Sequence, residues 1–547
     1  MRSNRTVPGR GGVPANRPLL APAWRRRAAA AAAAAMAVLV AACSGSSGSS
    51  SASATSSGNG KPSGKVGDVL TVGFPAAPPS LDPAKAHGHS GIFFYELAYE
   101  PLIVLDSDGH YEPGLATSWN YAGADNKTFV LNLRSGVKFS DGSPLTAQGV
   151  ADYFSYLQRA AGQNAALFAG ATITATAPLQ VTIKTAKPNP DLAYDMTQDV
   201  MAGEVISPAA LKLPASLGTQ TFGAGPYELS AAQSTSGSVY TYVPNPNYYD
   251  KAALHYKKVV VKIIQNPQST LQAMETGQID ITLGDSTTLA AAKKVGFADS
   301  AATITNNVTG VTLADRSGTT AKALADPRVR QALNYATDRT AIVNALFPGD
   351  TPTSEMATPG TSGYDPSLVN AYPYDVSKAK ALLAQAGYAH GFTLELITTD
   401  ANSQNLLAQA LAQQWQQAGV TVKIDDVANG NAYVAQALSG KFPAFTNNTT
   451  ILPLATLGTS LFLPNAAYNP YHYTDPALES LYAQDVVASG AAKAALDKKI
   501  VVYLVQQAWF VPVVAQGLPV YVSPTVTGAT ITPPTSYPVL YDLKPAA

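Results

Sequence analysis

The sequence predicts an α/β protein of more than one domain, and three observations predict it. At 547 residues the chain exceeds what one hydrophobic core covers, so two or three domains are expected. The second half twice repeats one unit: a helix-patterned run, a glycine just after it, and a strand-patterned run. The first half holds a stretch, residues 99–150, whose tight turns and short apolar runs spell a compact β-rich subdomain.

Composition narrows the function. With 46% hydrophobic and 13% charged residues the chain is globular. Its formal net charge of zero hides an asymmetry. Seven of the 36 basic residues, all Arg, fall within residues 1–42, which hold no acid. Without that segment 29 basic residues face 36 acidic ones, a net charge of −7. A nucleic-acid partner, which needs a basic face, is not expected. Cys43 is the sole cysteine, so a disulfide scaffold is excluded and a cysteine-based zinc site is implausible.

Residues 1–42 read as a signal peptide. Arg25, Arg26 and Arg27 precede a run from Ala28 to Ala42 that is too short for a span of about 20 residues. Val40-Ala41-Ala42-Cys43 resembles a bacterial lipobox, which makes Cys43 the expected site of lipidation and the mature N-terminus. Residues 43–65 are Ser/Gly-rich and form a tether with a reach of roughly 25 Å.

The body begins with an alternating run, Asp68 to Phe74, expected as the first strand. His87 and His89 follow, in a His-x-His arrangement that suits a metal edge or a polar loop; no nearby Cys, Asp or Glu completes a ligand set, so the loop reading is preferred. Residues 91–100 are expected to form a helix with its aromatics packed inward. In the 99–150 stretch, Thr128 to Leu133 reads as a strand, Asp125-Asn126 as a hairpin loop, and Thr146 as the N-cap of a helix starting near Ala147. Two more strands flank Pro178-Leu179. Thr270 to Ile281 reads as a helix stopped by Gly277, then a strand. Asp326-Pro327 opens a helix with a cap and a proline in its first turn, and Asp338 caps the next.

The repeated unit comes next. Ala379 to Ala386 ends at Gly387, before Phe392 to Ile397; Leu406 to Ala418 ends at Gly419, before Val420 to Ile424. Leu407, Leu411 and Trp415 fall on one helix stripe, which makes Trp415 a core residue. Lys498 to Phe510 is expected as a final amphipathic helix, leading to Val511-Pro512-Val513-Val514.

Several of these segments carry a resemblance. The order PLIVLDSDGHYEPGLATSW, then GVKFSDGSPLTA, is similar to the signature region of extracellular solute-binding proteins of family 5, the dipeptide-, oligopeptide- and nickel-type receptors of ABC importers. Further along, Leu81-Asp82-Pro83, Phe222 to Tyr227, Val243 to Tyr249 and Thr270 to Ile281 resemble later landmarks of that family, with Tyr249 where a Trp is usual. The resemblance implies a two-lobe, periplasmic-binding-protein-like fold (type II, three-subdomain variant) with a hinge and a ligand cleft between the lobes. On this basis lobe I takes residues 66–104, 184–303 and 509–547, with an extra subdomain at 105–183. Lobe II takes residues 304–508, and after it the chain returns to lobe I.

The implied function is capture of an oligopeptide or another small polar solute by lobe closure and delivery to ABC permease subunits. The protein would be a monomer, lipid-anchored on the outer face of the bacterial cytoplasmic membrane. No catalytic residue, metal or cofactor is expected, because neither a nucleophile–base set nor a phosphate-binding loop is present as a motif. A ligand-sensing lipoprotein on the same fold and a secreted hydrolase are the alternatives. Candidate ligand contacts are His87, His89, Ala224, Gly225, Asn447, Asn448, Thr449, Thr450 and Gln516. One departure bears on the solute. Peptide-binding members carry an acid in a second-lobe loop that pairs with the peptide amine; the corresponding Phe445 to Pro453 has no Asp, Glu or Trp. A buried ammonium without a carboxylate is costly, so a neutral polar ligand is expected unless another loop supplies the acid.

Overall fold

Two large sheets organise the chain. In this computed structural model the described residues are 67–546, apart from 86–90, 107–109, 161, 285–287, 301–306, 518 and 532–536. His87, His89, Cys43, the signal segment and the tether lie outside the described residues.

The first sheet has seven strands in the order Ala298–Asp299, Val520–Val522, Ile281–Leu283, Leu70–Phe74, Val259–Ile263, Val239–Pro244 and Tyr227–Leu229. Leu70–Phe74 is central and parallel to both neighbours. Its Leu70, Val72 and Phe74 are buried, which is why an alternating apolar run forms here. The four-stranded antiparallel sheet of the extra subdomain, Ala116–Tyr121, Thr128–Leu133, Gln180–Lys184 and Thr172–Ala177, shares its core. Phe129, Leu131, Val181 and Ile183 close that core beneath the helix Ala147–Leu157. Thr146 caps the helix as expected, its Oγ1 accepting from the Gly149 amide at 3.1 Å. The expected helix at 91–100 is only one turn, Ile92–Tyr95.

The second sheet runs Thr351–Pro352, Phe510–Gln516, Asn307–Leu313, Ala444–Thr450, Phe392–Thr398 and Val420–Asp426. The two helix–glycine–strand units supply its parallel end. Gly387 and Gly419 end their helices at φ +89° and +97°, conformations a Cβ disfavours. Leu394, Leu396, Leu407, Leu411 and Trp415 form the core between helix and sheet. Trp415 is fully buried, and its Nε1 donates to Thr337 Oγ1 at 3.0 Å.

Strand Ala298–Asp299 lies in the first sheet and Asn307–Leu313 in the second; Phe510–Gln516 lies in the second and Val520–Val522 in the first. Here one expectation is corrected. Val511 to Val514 do not return to the first lobe: the strand Phe510–Gln516 pairs with Asn307–Leu313 and Thr351–Pro352, inside the second sheet. The crossing comes about six residues later, because the strand's apolar residues are drawn into the second core. The helix before it also begins earlier than expected, spanning Gly490–Gln507.

Candidate functional site

Between the two lobes lies a cavity of about 460 Å³, within the usual range of small-molecule sites, about 300–1,000 Å³. Its second-lobe wall is the end of the strand Ala444–Thr450, with Leu452, Thr456 and Ser460 from the turn beyond. The stretch from Phe445 is therefore mostly a strand, not the loop expected from the resemblance. It is hydrogen-bonded on one side to Asn307–Leu313 and parallel to Phe392–Thr398 on the other. Asn447, Asn448, Thr449 and Thr450 all line the cavity. Asn447 Nδ2 donates to Thr449 Oγ1 at 2.7 Å, and Thr450 Oγ1 to Asn307 Oδ1 at 3.0 Å, so the polar wall is pre-ordered by its own bonds.

The first-lobe wall was not foreseen. Asn164 and Leu167 reach the cavity from the turn after the long subdomain helix; Tyr194, Asp195, Asp199 and Val200 reach it from the one-turn helix Leu192–Asp195 and the segment after it. Asp191, Asp195 and Asp199 recur every four residues, but the helix here is a single turn, so that spacing alone does not put them on one face. Burial pushes the Asp195 carboxyl up to about 7, with the neighbouring Asp191 charge adding to the effect and the Asn189 amide opposing it. Burial also raises Asp191, against a hydrogen bond from Thr456. Tyr194 is buried, and its hydroxyl donates to Asp199 Oδ2 at 3.4 Å.

Among the described residues, two side-chain hydrogen bonds bridge the lobes. Thr456 Oγ1 donates to Asp191 Oδ2 at 2.9 Å, and Asn126 Nδ2, from the subdomain hairpin, donates to the Val486 carbonyl at 3.0 Å. A second space of about 360 Å³ opens behind Asn447, Asn448 and Tyr468, within the second lobe. Thr399 Oγ1 and Gln404 Oε1, from residues that line it, are buried without a hydrogen-bond partner.

The other sequence candidates lie elsewhere. Ala224 and Gly225 do not line either space. A Cβ on Gly225 would sit 2.5 Å from the backbone carbon of Ala98, and the Gly225 amide donates to the Ala98 carbonyl at 2.9 Å. At Gly225 the close approach of the Ala98 backbone is enough to require a glycine. Gln516 does not line the cavity either: its Oε1 accepts from Thr309 and its Nε2 donates to Asp350, both within the second lobe. Among the described residues, no group of three His, Cys, Asp or Glu could hold a metal ion.

Comparison with known proteins agrees with this architecture. The family of bacterial extracellular solute-binding proteins, family 5 (middle region), matches residues 110–469. The chain is 28% identical over 413 residues to the nickel-binding periplasmic protein of Escherichia coli K12, covering 70% of this chain and 75% of that one. It is 26% identical over 504 residues to the dipeptide-binding protein of Lactococcus lactis subsp. cremoris, covering 82% and 88%. The structure of HbpA2 from Haemophilus parasuis superposes with a TM-score of 0.75 at 22% identity, over 88% of this chain and all of that one. The chain belongs to the bacterial extracellular solute-binding proteins, family 5.

Proposed function

We propose that this protein is the solute-capturing lipoprotein of an ABC importer. Acylated at Cys43, it stands on the outer face of the cytoplasmic membrane, closes its two lobes over a peptide or another small polar solute, and presents the closed form to permease subunits. The observation that carries the reading is the interlobe cavity with polar walls from both lobes. The relatives' names supply the solute range: a nickel-binding and a dipeptide-binding protein. In the division we propose, 66–104 and 184–303 form the first lobe with 105–183 as its subdomain. The second lobe extends from 304 through Gln516, and the last segment rejoins the first.

The mechanism needs no covalent step. A solute that touches both walls stabilises the closed arrangement over the open one by its differential affinity for the two. Asn447, Asn448, Thr449 and Thr450 offer amide and hydroxyl groups that bind a solute only when the first-lobe wall is also in reach. A permease that engages only closed receptors then reads occupancy as shape. The protein acts alone, as a monomer, and without a cofactor.

The test is mass spectrometry of whatever is released when the purified protein is denatured. One small solute, recovered unaltered in near-equimolar amount, is the expected result; an empty protein that no solute stabilises against heat contradicts the proposal. The anchor is tested separately. Cys43→Ala should move the protein from the membrane fraction to the soluble fraction, and a variant that still pellets, beside a wild type without acyl mass, removes the anchor.

A further inference from the structure

The second lobe carries a crevice of its own, and the topology of its sheet explains why. Phe392–Thr398 lies between two parallel neighbours, Val420–Asp426 on one side and Ala444–Thr450 on the other. The chain reaches the first neighbour through the helix Gln404–Gln417, then returns past the central strand through the helix Gly430–Ala437. The first helix packs against Leu394 and Leu396, the second against Ile397 and Phe445. Successive strand residues face opposite sides of a sheet, so the two helices cover opposite faces. Connections that part in this way leave a crevice beyond the carboxyl ends of the strands, which is where ligands bind in open α/β sheets. The space of about 360 Å³ sits there. Thr399 follows the central strand, Gln404 begins the first helix and Tyr433 belongs to the second, and all three line it.

The lining is uncharged: among the described residues no Asp, Glu, Lys, Arg or His contributes to it. Some of the polar groups around it serve the fold. The Tyr433 hydroxyl donates to the Thr446 carbonyl, and the hydroxyls of Thr446 and Thr398 bond each other at 3.0 Å. Two others do not. Thr399 Oγ1 and Gln404 Oε1, on residues 3% and 5% exposed, have no hydrogen-bond partner, which is an unfavourable state for buried polar atoms. Asn447, Asn448 and Tyr468 line both this space and the interlobe cavity, so the two meet near the end of one strand. The geometry points to a second subsite for the same solute: an uncharged group with both donor and acceptor, a carboxamide or a sugar hydroxyl, enters past Asn448 and bonds Thr399 and Gln404. This rests on the receptor reading above and adds to it the chemistry of one end of the ligand. A charged group in the same space would shed its water and find no counter-ion. An apolar group would leave Thr399 and Gln404 unpaired.

The test is calorimetry and thermal shift on the purified full-length protein with defined probes: maltotriose, the three tripeptides of one Gln and two Ala, and their Glu counterparts. Any solute released from the purified protein is titrated beside them. A Gln tripeptide bound on the order of tenfold or more tightly than its Glu twin identifies the carboxamide, and binding of maltotriose identifies the hydroxyl. For whichever of these binds, the released solute included, Thr399→Val/Gln404→Leu should weaken binding on the order of tenfold or more. The same variant without ligand should melt no lower than the wild type, since it removes atoms that have no partner in the folded protein. Undiminished binding by the variant, a Glu twin bound as tightly as its Gln partner, or a ligand-free variant that melts lower overturns the inference and leaves the receptor reading standing. If no probe and no released solute binds the wild type, the receptor reading itself fails, and the inference with it.

Discussion

Asp195 shows how a single side chain ties the cleft to pH. Its carboxyl is raised from the ordinary 3.8 to about 7, by burial first and by Asp191 second. The groups that face it are the carboxyl of Asp191, the amide of Asn189 and the phenols of Tyr111 and Tyr194, with Lys493 acting through Asp191. Between pH 4 and pH 7 the folded protein holds a proton that the unfolded chain has released, so stability from this group falls as pH rises through that window and levels off above it. Asp195→Asn cannot titrate. Its melting midpoint in ligand-free protein should decline less between pH 4 and pH 7 than that of the wild type; parallel declines would remove Asp195 as a cause. The neutral half of the site, Asn447 to Thr450, was legible in the sequence, because a resemblance pointed to that stretch. The acidic half was not. Asp195 and Asp199 lie in a segment without strong helix or strand periodicity, and only the meeting of two lobes gives them a common space. Gly225 misled for the opposite reason: smallness signals close approach, but not whether backbone or ligand is what approaches.

At the scale of elements, the second lobe is held by a buried guanidinium. Arg339 donates from Nε to the Thr353 and Pro512 carbonyls at 3.0 and 2.7 Å. Its Nη1 donates to the Asn334 and Tyr372 carbonyls at 3.1 and 3.2 Å, and its Nη2 to Asn334 Oδ1 at 2.7 Å. Five neutral acceptors from a helix end, an inner strand, the residue just after an edge strand and a loop thus converge on one fork, a geometry that lysine cannot copy. Arg339→Met fills the volume and leaves those carbonyls unpaired, so it should cost about 3 kcal/mol or more of stability, read by denaturant unfolding. A loss below about 1 kcal/mol would mean that the carbonyls find other donors. The repeated helix–glycine–strand units were legible here because local rules and tertiary packing agree. The strand Phe510–Gln516 was placed in the wrong lobe because its apolar run suits a buried strand in either sheet. Which sheet receives it depends on partners about 200 residues earlier, Asn307–Leu313, and no local pattern records that choice.

The described residues form two lobes, each built on its own large sheet, with a polar cavity between them and hydrogen bonds from Thr456 to Asp191 and from Asn126 to the Val486 carbonyl across the gap. Such a body stores no chemistry in one lobe: each wall alone is an ordinary surface, and the site exists only when they meet. Among the described residues no salt bridge joins the lobes and the side-chain bonds across the gap are few, so ligand contacts decide which arrangement prevails. Small-angle X-ray scattering of the purified protein, stripped of its solute and then reloaded with it, tests this most directly. A smaller radius of gyration in the loaded protein, with the solute recovered chemically unchanged, is what lobe closure predicts. An identical radius in both states, or a solute returned with altered mass, would contradict it.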